Sequence, residues 1–130
     1  MIGLVLVAHA GLARELLAAA EMIVGEMGLA EAVGISPDDS VENIKENVTE
    51  AIKKVSADGV IIMTDMFGGT PSNMSLSFLK DNIVEVLTGV NLPMLLKFAT
   101  EREKSGVADL AQILKSCGQE SISVAGDYLK

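Results

Sequence analysis

The sequence predicts an α/β fold: a doubly wound sheet of four parallel strands, helices on both faces, and an antiparallel edge strand at the C-terminal end. Three observations carry that prediction. Short, continuously apolar runs such as 2–8 and 59–64 read as strands buried on both faces. Stretches with apolar residues at a period of 3.6 separate those runs, as crossover helices do. A length of 130 residues suits one hydrophobic core, so strands and helices alternate within a single domain, 1–130.

Taken in order, Ile2 to Ala8 is the first strand, and a central one, because no charge interrupts it. After His9, the residues Leu12, Leu16, Ala20, Ile23 and Met27 form one helical stripe, and Gly25 and Gly28 mark its end. Ala30 to Ile35 is the second strand. Ser36-Pro37-Asp38-Asp39-Ser40 supplies turn residues, and Ser40 caps a helix whose apolar face is Val41, Ile44, Val48, Ile52 and Val55. The acids Glu42, Glu46 and Glu50 on its other face form a solvated surface, partly offset by Lys45, Lys53 and Lys54.

Gly59 to Thr64 is the third strand, followed by Asp65 and the loop Met66-Phe67-Gly68-Gly69. Thr70 stands at the predicted N-cap of the next helix and Pro71 at its first position, where a missing N–H costs no hydrogen bond. Ile83 to Leu87 is the fourth strand and 89–93 its exit loop. Helical periodicity resumes from Met94 and again through Val107, Leu110, Ile113 and Leu114. Ile122 and Val124 then alternate with Ser121 and Ser123, the pattern of a half-exposed edge strand.

Composition removes several function classes. With 10 Lys plus Arg against 18 Asp plus Glu, the net charge is −8, and nucleic acid, which needs a basic face, is excluded as a partner. Cys117 is the only cysteine and His9 the only histidine, so neither an internal disulfide nor a zinc site of Cys and His can form. No metal or cofactor is expected, and a reducing, cytoplasmic setting fits best. The mean hydropathy of +0.41 belongs to the core, since the sequence has no uninterrupted apolar run of about 18 residues. The N-terminus also lacks the basic leader and cleavage site of a signal peptide.

Right-handed crossovers place the ligand site of such a sheet beyond the carboxyl ends of its strands, where the winding reverses between the first strand and the third. Those strands run out at His9 and Asp65. An imidazole is a nucleophile when one ring nitrogen is free and the other donates its hydrogen to a fixed acceptor. Asp65 is that acceptor if the two strands are neighbours. Gly68-Gly69-Thr70 can surround an anion with backbone N–H groups and a hydroxyl, and Ala10-Gly11 at the start of the first helix offers a second donor set. Histidine, aspartate and backbone donors together suffice for phosphoryl transfer.

Each part alone has a plainer reading. A histidine at a strand end is commonly structural, a Gly-Gly loop commonly serves turn geometry, and an aspartate can cap a turn. Their coincidence at the switch point favours chemistry. Met66 and Phe67 either tuck into the core or form a rim for a docking protein. A dinucleotide or flavin site is disfavoured, because Ala8-His9-Ala10-Gly11 lacks the G-x-G-x-x-G spacing and the chain has few aromatics.

At these residues the chain resembles the IIA component of the mannose family of the bacterial sugar phosphotransferase system. The resemblance runs through 5–13 with Glu15-Leu16-Leu17 and Ala20-Glu21, through 64–73, and through Thr88-Gly89-Val90-Asn91-Leu92-Pro93-Met94. It implies a phosphocarrier that takes a phosphoryl group from HPr on His9 Nε2 and passes it to a separate IIB protein for sugar uptake. By the same resemblance Asp65 bonds Nδ1, and Thr70 with the loop backbone supports the phosphoryl group. A homodimer that exchanges its antiparallel strand is implied, as is association with a membrane permease complex. Ala8 and Ala10 stand where the family usually has Ser and Gly. Two alternatives of other classes are a regulatory module whose partner choice follows its phosphorylation, and the phosphoryl-transfer subunit of dihydroxyacetone kinase.

Overall fold

The computed structural model describes residues 1–66 and 68–129. Among these residues four strands alternate with helices and two helices follow the last strand: β1 (Gly3–His9), α1 (Leu12–Val24), β2 (Ala30–Ile35), α2 (Val41–Val55), β3 (Val60–Thr64), α3 (Thr70–Leu76), β4 (Val84–Thr88), α4 (Leu92–Glu101) and α5 (Val107–Glu120). A 3-10 helix over Ala125–Leu129 follows. All strand pairs are parallel, in the order β2-β1-β3-β4. The chain therefore winds one way through β2 and the other way through β3 and β4, which puts the switch point between β1 and β3.

The two-sided burial expected of β1 follows from its lack of polar side chains. Leu4, Leu6 and Ala8 pack into one layer with Ala13 and Ala20 of α1, Phe98 of α4 and Leu110 of α5. Val5 and Val7 pack into the other, against Ile44, Val48 and Val55 of α2. Each such buried aliphatic side chain contributes about 1.5–3 kcal/mol relative to exposure. At the far end of the sheet from His9, Arg102 is buried and ties two strands together. Its Nε and Nη2 donate to the Ile2 carbonyl at 3.0 and 2.7 Å, Nη2 also donates to Leu29 at 3.2 Å, and the guanidinium lies over the Phe98 ring.

Four details differ from the sequence reading. The stripe of α1 is only partly as expected: Ala20 and Met27 of it are buried, but Leu12 and Ile23 are 44% and 58% exposed, and Ala13, outside it, is fully buried. Small side chains let the helix approach the sheet closely, and that approach sets its phase. At α3 the N-cap is Gly69, with Thr70 already inside the helix and no side-chain cap bond; Pro71 still falls in the first turn, where it is tolerated. The expected exit loop 89–93 is instead partly helix, because Asn91 Oδ1 accepts from the Met94 N–H at 3.1 Å and starts α4 at Leu92.

The fourth difference is the antiparallel edge strand. Among the described residues the sheet has four strands, and Ile122 and Val124 are 77% and 67% exposed with no ladder partner. A strand needs a second backbone to satisfy its N–H and C=O groups, and among the described residues Ile122 and Val124 are laid against none. No described helix is long and apolar enough to cross a membrane.

Candidate functional site

The register places Val7 opposite Thr64, so β1 and β3 leave the sheet side by side and deliver His9 and Asp65 to the same point. Asp65 Oδ2 accepts from the His9 backbone N–H at 3.0 Å and lies 2.7 Å from His9 Nδ1. Its Oδ1 accepts from the Met66 N–H at 3.0 Å. With a carboxylate facing it, Nδ1 carries the hydrogen, which leaves a lone pair on Nε2. Nε2 makes no hydrogen bond to a described residue, and the ring is 52% exposed.

Burial works to raise the Asp65 pKa, but the hydrogen bonds from the His9 backbone and ring, with the charge of His9, outweigh it and hold the carboxyl below its ordinary value. Asp65 is thus ionised at neutral pH and faces the ring as a fixed negative charge.

The chain turns sharply after His9. Ala10 adopts a left-handed backbone, φ 52°, and its N–H donates to the Ile35 carbonyl at 2.9 Å. That turn lies so close on β2 that a Cβ at Gly34 would stand 2.5 Å from the Ala10 oxygen. Gly11 then forms the N-cap of α1 without a side-chain cap bond.

From the other side, Gly68 turns the loop with φ 83°, and a Cβ on Gly69 would come 3.3 Å from His9 Cε1. Gly69 therefore backs directly onto the imidazole edge between its two nitrogens. Thr70 and Ala10 line the same cleft as His9, with a volume of about 320 Å³. Of the predicted phosphoryl-binding set, Ala10, Gly69 and Thr70 are brought to His9, while Gly68 and Gly11 shape the two turns. Met66 is 53% exposed, on the rim rather than in the core; Phe67, the other docking candidate, lies outside the described residues.

Sequence reasoning missed two contributors. Asn73 pins the loop, its N–H donating to the Gly69 carbonyl at 2.9 Å and its Nδ2 facing the Gly68 carbonyl at 3.5 Å. Asp39 lines the His9 cleft from the β2–α2 loop, where Oδ2 accepts from the Ser36 N–H at 2.8 Å. The turn signal of Pro37-Asp38-Asp39 was visible, but its place beside His9 was not. A larger cleft of about 520 Å³ lies against α5 among Lys97, Cys117 and Glu120. It contains neither His9 nor Asp65, so chemistry rather than size marks the site. Among the described residues no three His, Cys, Asp or Glu converge as a metal site.

A family model described as the PTS system fructose IIA component, EIIA-man, matches residues 3–115. The chain belongs to the mannose-type EIIA family of the sugar phosphotransferase system. It is 31% identical to the fructose-specific EIIA component of Bacillus subtilis, covering all of this chain and 90% of that protein. Identity is also 31% to the sorbose-specific EIIA component of Lacticaseibacillus casei, over 90% of this chain and 86% of that one. Among solved structures, the IIA protein associated with the fucose utilization operon of Streptococcus pneumoniae has a TM-score of 0.87 at 26% identity, covering 98% of this chain and 96% of that one. As an EIIA family member the chain is a phosphotransferase component of sugar transport.

Proposed function

We propose that His9 is the phosphoryl-carrying residue of this EIIA chain, loaded by HPr and unloaded to a separate IIB protein. The observation that carries the reading is the Asp65 clamp on His9, which leaves Nε2 open to the cleft. In the loading step the Nε2 lone pair attacks phosphorus of the donor phosphohistidine. The donor's N–P bond breaks, and its electron pair returns to the donor ring. Because Nδ1 keeps its hydrogen, the phosphorylated ring is cationic, and Asp65 stabilises it. Thr70 and the backbone of Gly68 and Gly69 hold the phosphoryl oxygens. Unloading reverses these bonds with a IIB side chain as acceptor.

The protein acts in the cytoplasm, as a homodimer, at a membrane permease complex. Support for the dimer comes from β4, an edge strand of the described sheet, beside a cleft of about 400 Å³ that Val86, Leu87 and Thr88 form with Lys115, Gln119 and Ile122. An antiparallel tail strand of a second copy would pair that edge and cover Ile122 and Val124.

The test is incubation with enzyme I, HPr and phosphoenolpyruvate, with the modified residue mapped by mass spectrometry under non-acidic conditions. One acid-labile phosphate on His9 is expected. A His9→Ala variant that still becomes stably phosphorylated would overturn the assignment.

A further inference from the structure

We propose that Glu85 guards the edge of β4: its carboxylate holds the backbone donor that the tail of a second copy needs, so strand pairing between copies displaces it. This rests on the tail-paired dimer proposed above, and it adds the residue that sets how readily the edge accepts a strand. Glu85 is half-buried, and its Oε1 accepts from the N–H of the next residue, Val86, at 2.9 Å.

The ladder shows why that N–H matters. β4 pairs with β3 on one side, Ile62 opposite Val86 and Thr64 opposite Thr88, and on its other side it ends the described sheet. Alternate residues of a strand turn their N–H and C=O to the same side. At Val84 both groups are taken by Lys80, whose carbonyl accepts from the Val84 N–H at 2.8 Å and whose N–H donates to the Val84 carbonyl at 3.0 Å. Val84 thus faces outward, and Val86 and Thr88 share that side. The local turn closes the edge at Val84, which leaves the stretch from Val86 to Thr88 open to another chain. The first donor of that stretch is the one Glu85 occupies.

Length and pattern select the occupant. Between the end of α5 at Glu120 and the 3-10 helix from Ala125, residues 121–124 belong to no helix and no strand. Extended at about 3.4 Å per residue, that segment matches the open stretch, and the alternation of Ile122 and Val124 gives it one apolar face. In its own chain the segment folds back on its neighbours, with the Ser121 N–H donating to the Cys117 carbonyl at 3.1 Å and the Asp127 N–H to the Val124 carbonyl at 3.0 Å. It joins no ladder among the described residues, so the strand that pairs is a second copy's. The incoming strand offers the Val86 N–H a peptide carbonyl in place of a carboxylate, and a hydrogen bond to an ionised acceptor is the stronger of the two. Glu85 therefore opposes pairing at an open sheet edge, where charged side chains commonly deter unwanted strand addition.

The experiment is sedimentation equilibrium of the full chain over a range of concentrations, which measures the Kd of the dimer. Glu85→Ala cannot reach the Val86 N–H and is expected to lower Kd about tenfold. Glu85→Val, with a residue that favours strands, is expected to do the same and serves if the alanine variant fails to fold. Glu85→Gln keeps an acceptor at the same reach and should hold Kd within about threefold of wild type. A dimeric wild type with an unchanged or raised Kd in Glu85→Ala and Glu85→Val would overturn the inference and leave the dimer reading intact. So would an equal fall in Glu85→Gln and Glu85→Ala, since repulsion between the copies, rather than occupation of the N–H, would then be the cause. A wild type that stays monomeric at every concentration overturns the dimer reading and this inference together.

Discussion

One oxygen of Asp65 holds His9 twice: Oδ2 meets the backbone N–H at 3.0 Å and Nδ1 at 2.7 Å. The first contact locates the residue and the second locates the ring, so position and tautomer are set by a single atom. That atom is itself anchored, because the other carboxylate oxygen is bound by the Met66 N–H.

Replacing Asp65 by Asn removes the charge and permits the amide to face Nδ1 in the wrong sense, favouring the tautomer in which Nε2 carries the hydrogen. The rate of phosphoryl uptake from phospho-HPr is expected to fall on the order of 10³-fold. Rapid-quench measurement of phosphate incorporation checks this, and a loss below about tenfold would show that the carboxylate is dispensable.

The depressed pKa of Asp65 also makes a statement about stability. A carboxyl whose folded pKa lies below its unfolded value of about 3.9 stabilises the fold at higher pH, and that contribution is lost as pH falls through the folded value. Urea unfolding of the wild type should therefore weaken as pH falls below about 4. The Asp65→Asn variant should show a shallower decline over the same window.

Ala10 has φ 52°, a conformation that costs an L-residue about 1–2 kcal/mol. Ala10→Gly relieves that strain but gives the unfolded chain more freedom, worth about 0.4–1 kcal/mol in the opposite direction. The balance predicts a gain of about 0.5 kcal/mol, a rise in Tm of about 2 °C. Calorimetry reads it, and a lower Tm would contradict the strain argument.

Thr64 is fully buried at the end of β3, and its Oγ1 has no partner among the described residues. Thr64→Val preserves the shape and removes an unsatisfied hydroxyl, so it is expected to stabilise the fold by about 1 kcal/mol. A denaturation midpoint shifted to lower urea would indicate instead that the hydroxyl is satisfied in solution.

Ile122 and Val124 are exposed in the single chain. If a second copy's tail covers β4, the paired substitution Ile122→Asp with Val124→Asp should convert a dimer to a monomer in sedimentation experiments, without unfolding the core. A variant dimer as tight as the wild type would exclude the tail from the interface.

Much of this was legible along the chain because it depends on local pattern. β1 could be read as a two-sided strand from its unbroken apolar run, and α2 from Ser40, whose side chain does accept from the Asn43 N–H at 3.1 Å. The dyad partners were recognisable since strand alternation and crossover handedness bring the ends of β1 and β3 together. What escaped was phase and long-range neighbourhood. Leu12 and Ile23 share a helical stripe with Ala20 on paper, yet only Ala20 is buried of the three, and Ala13 beside Leu12 takes the inward place. Arg102 reads as one surface charge among ten cations until the fold sets it over the carbonyls of Ile2 and Leu29.

The sequence by itself determined the alternation of elements and singled out His9 and Asp65 at two strand ends, because periodicity and caps act through neighbouring residues; the pairing of β1 with β3 then brought the two together. Tertiary structure alone decided that Gly69 backs onto the imidazole, that Asp39 from a separate loop lines the same cleft, and that Ile122 and Val124 join no strand ladder among the described residues. Those outcomes depend on distances between segments far apart in sequence, which only the packed core sets.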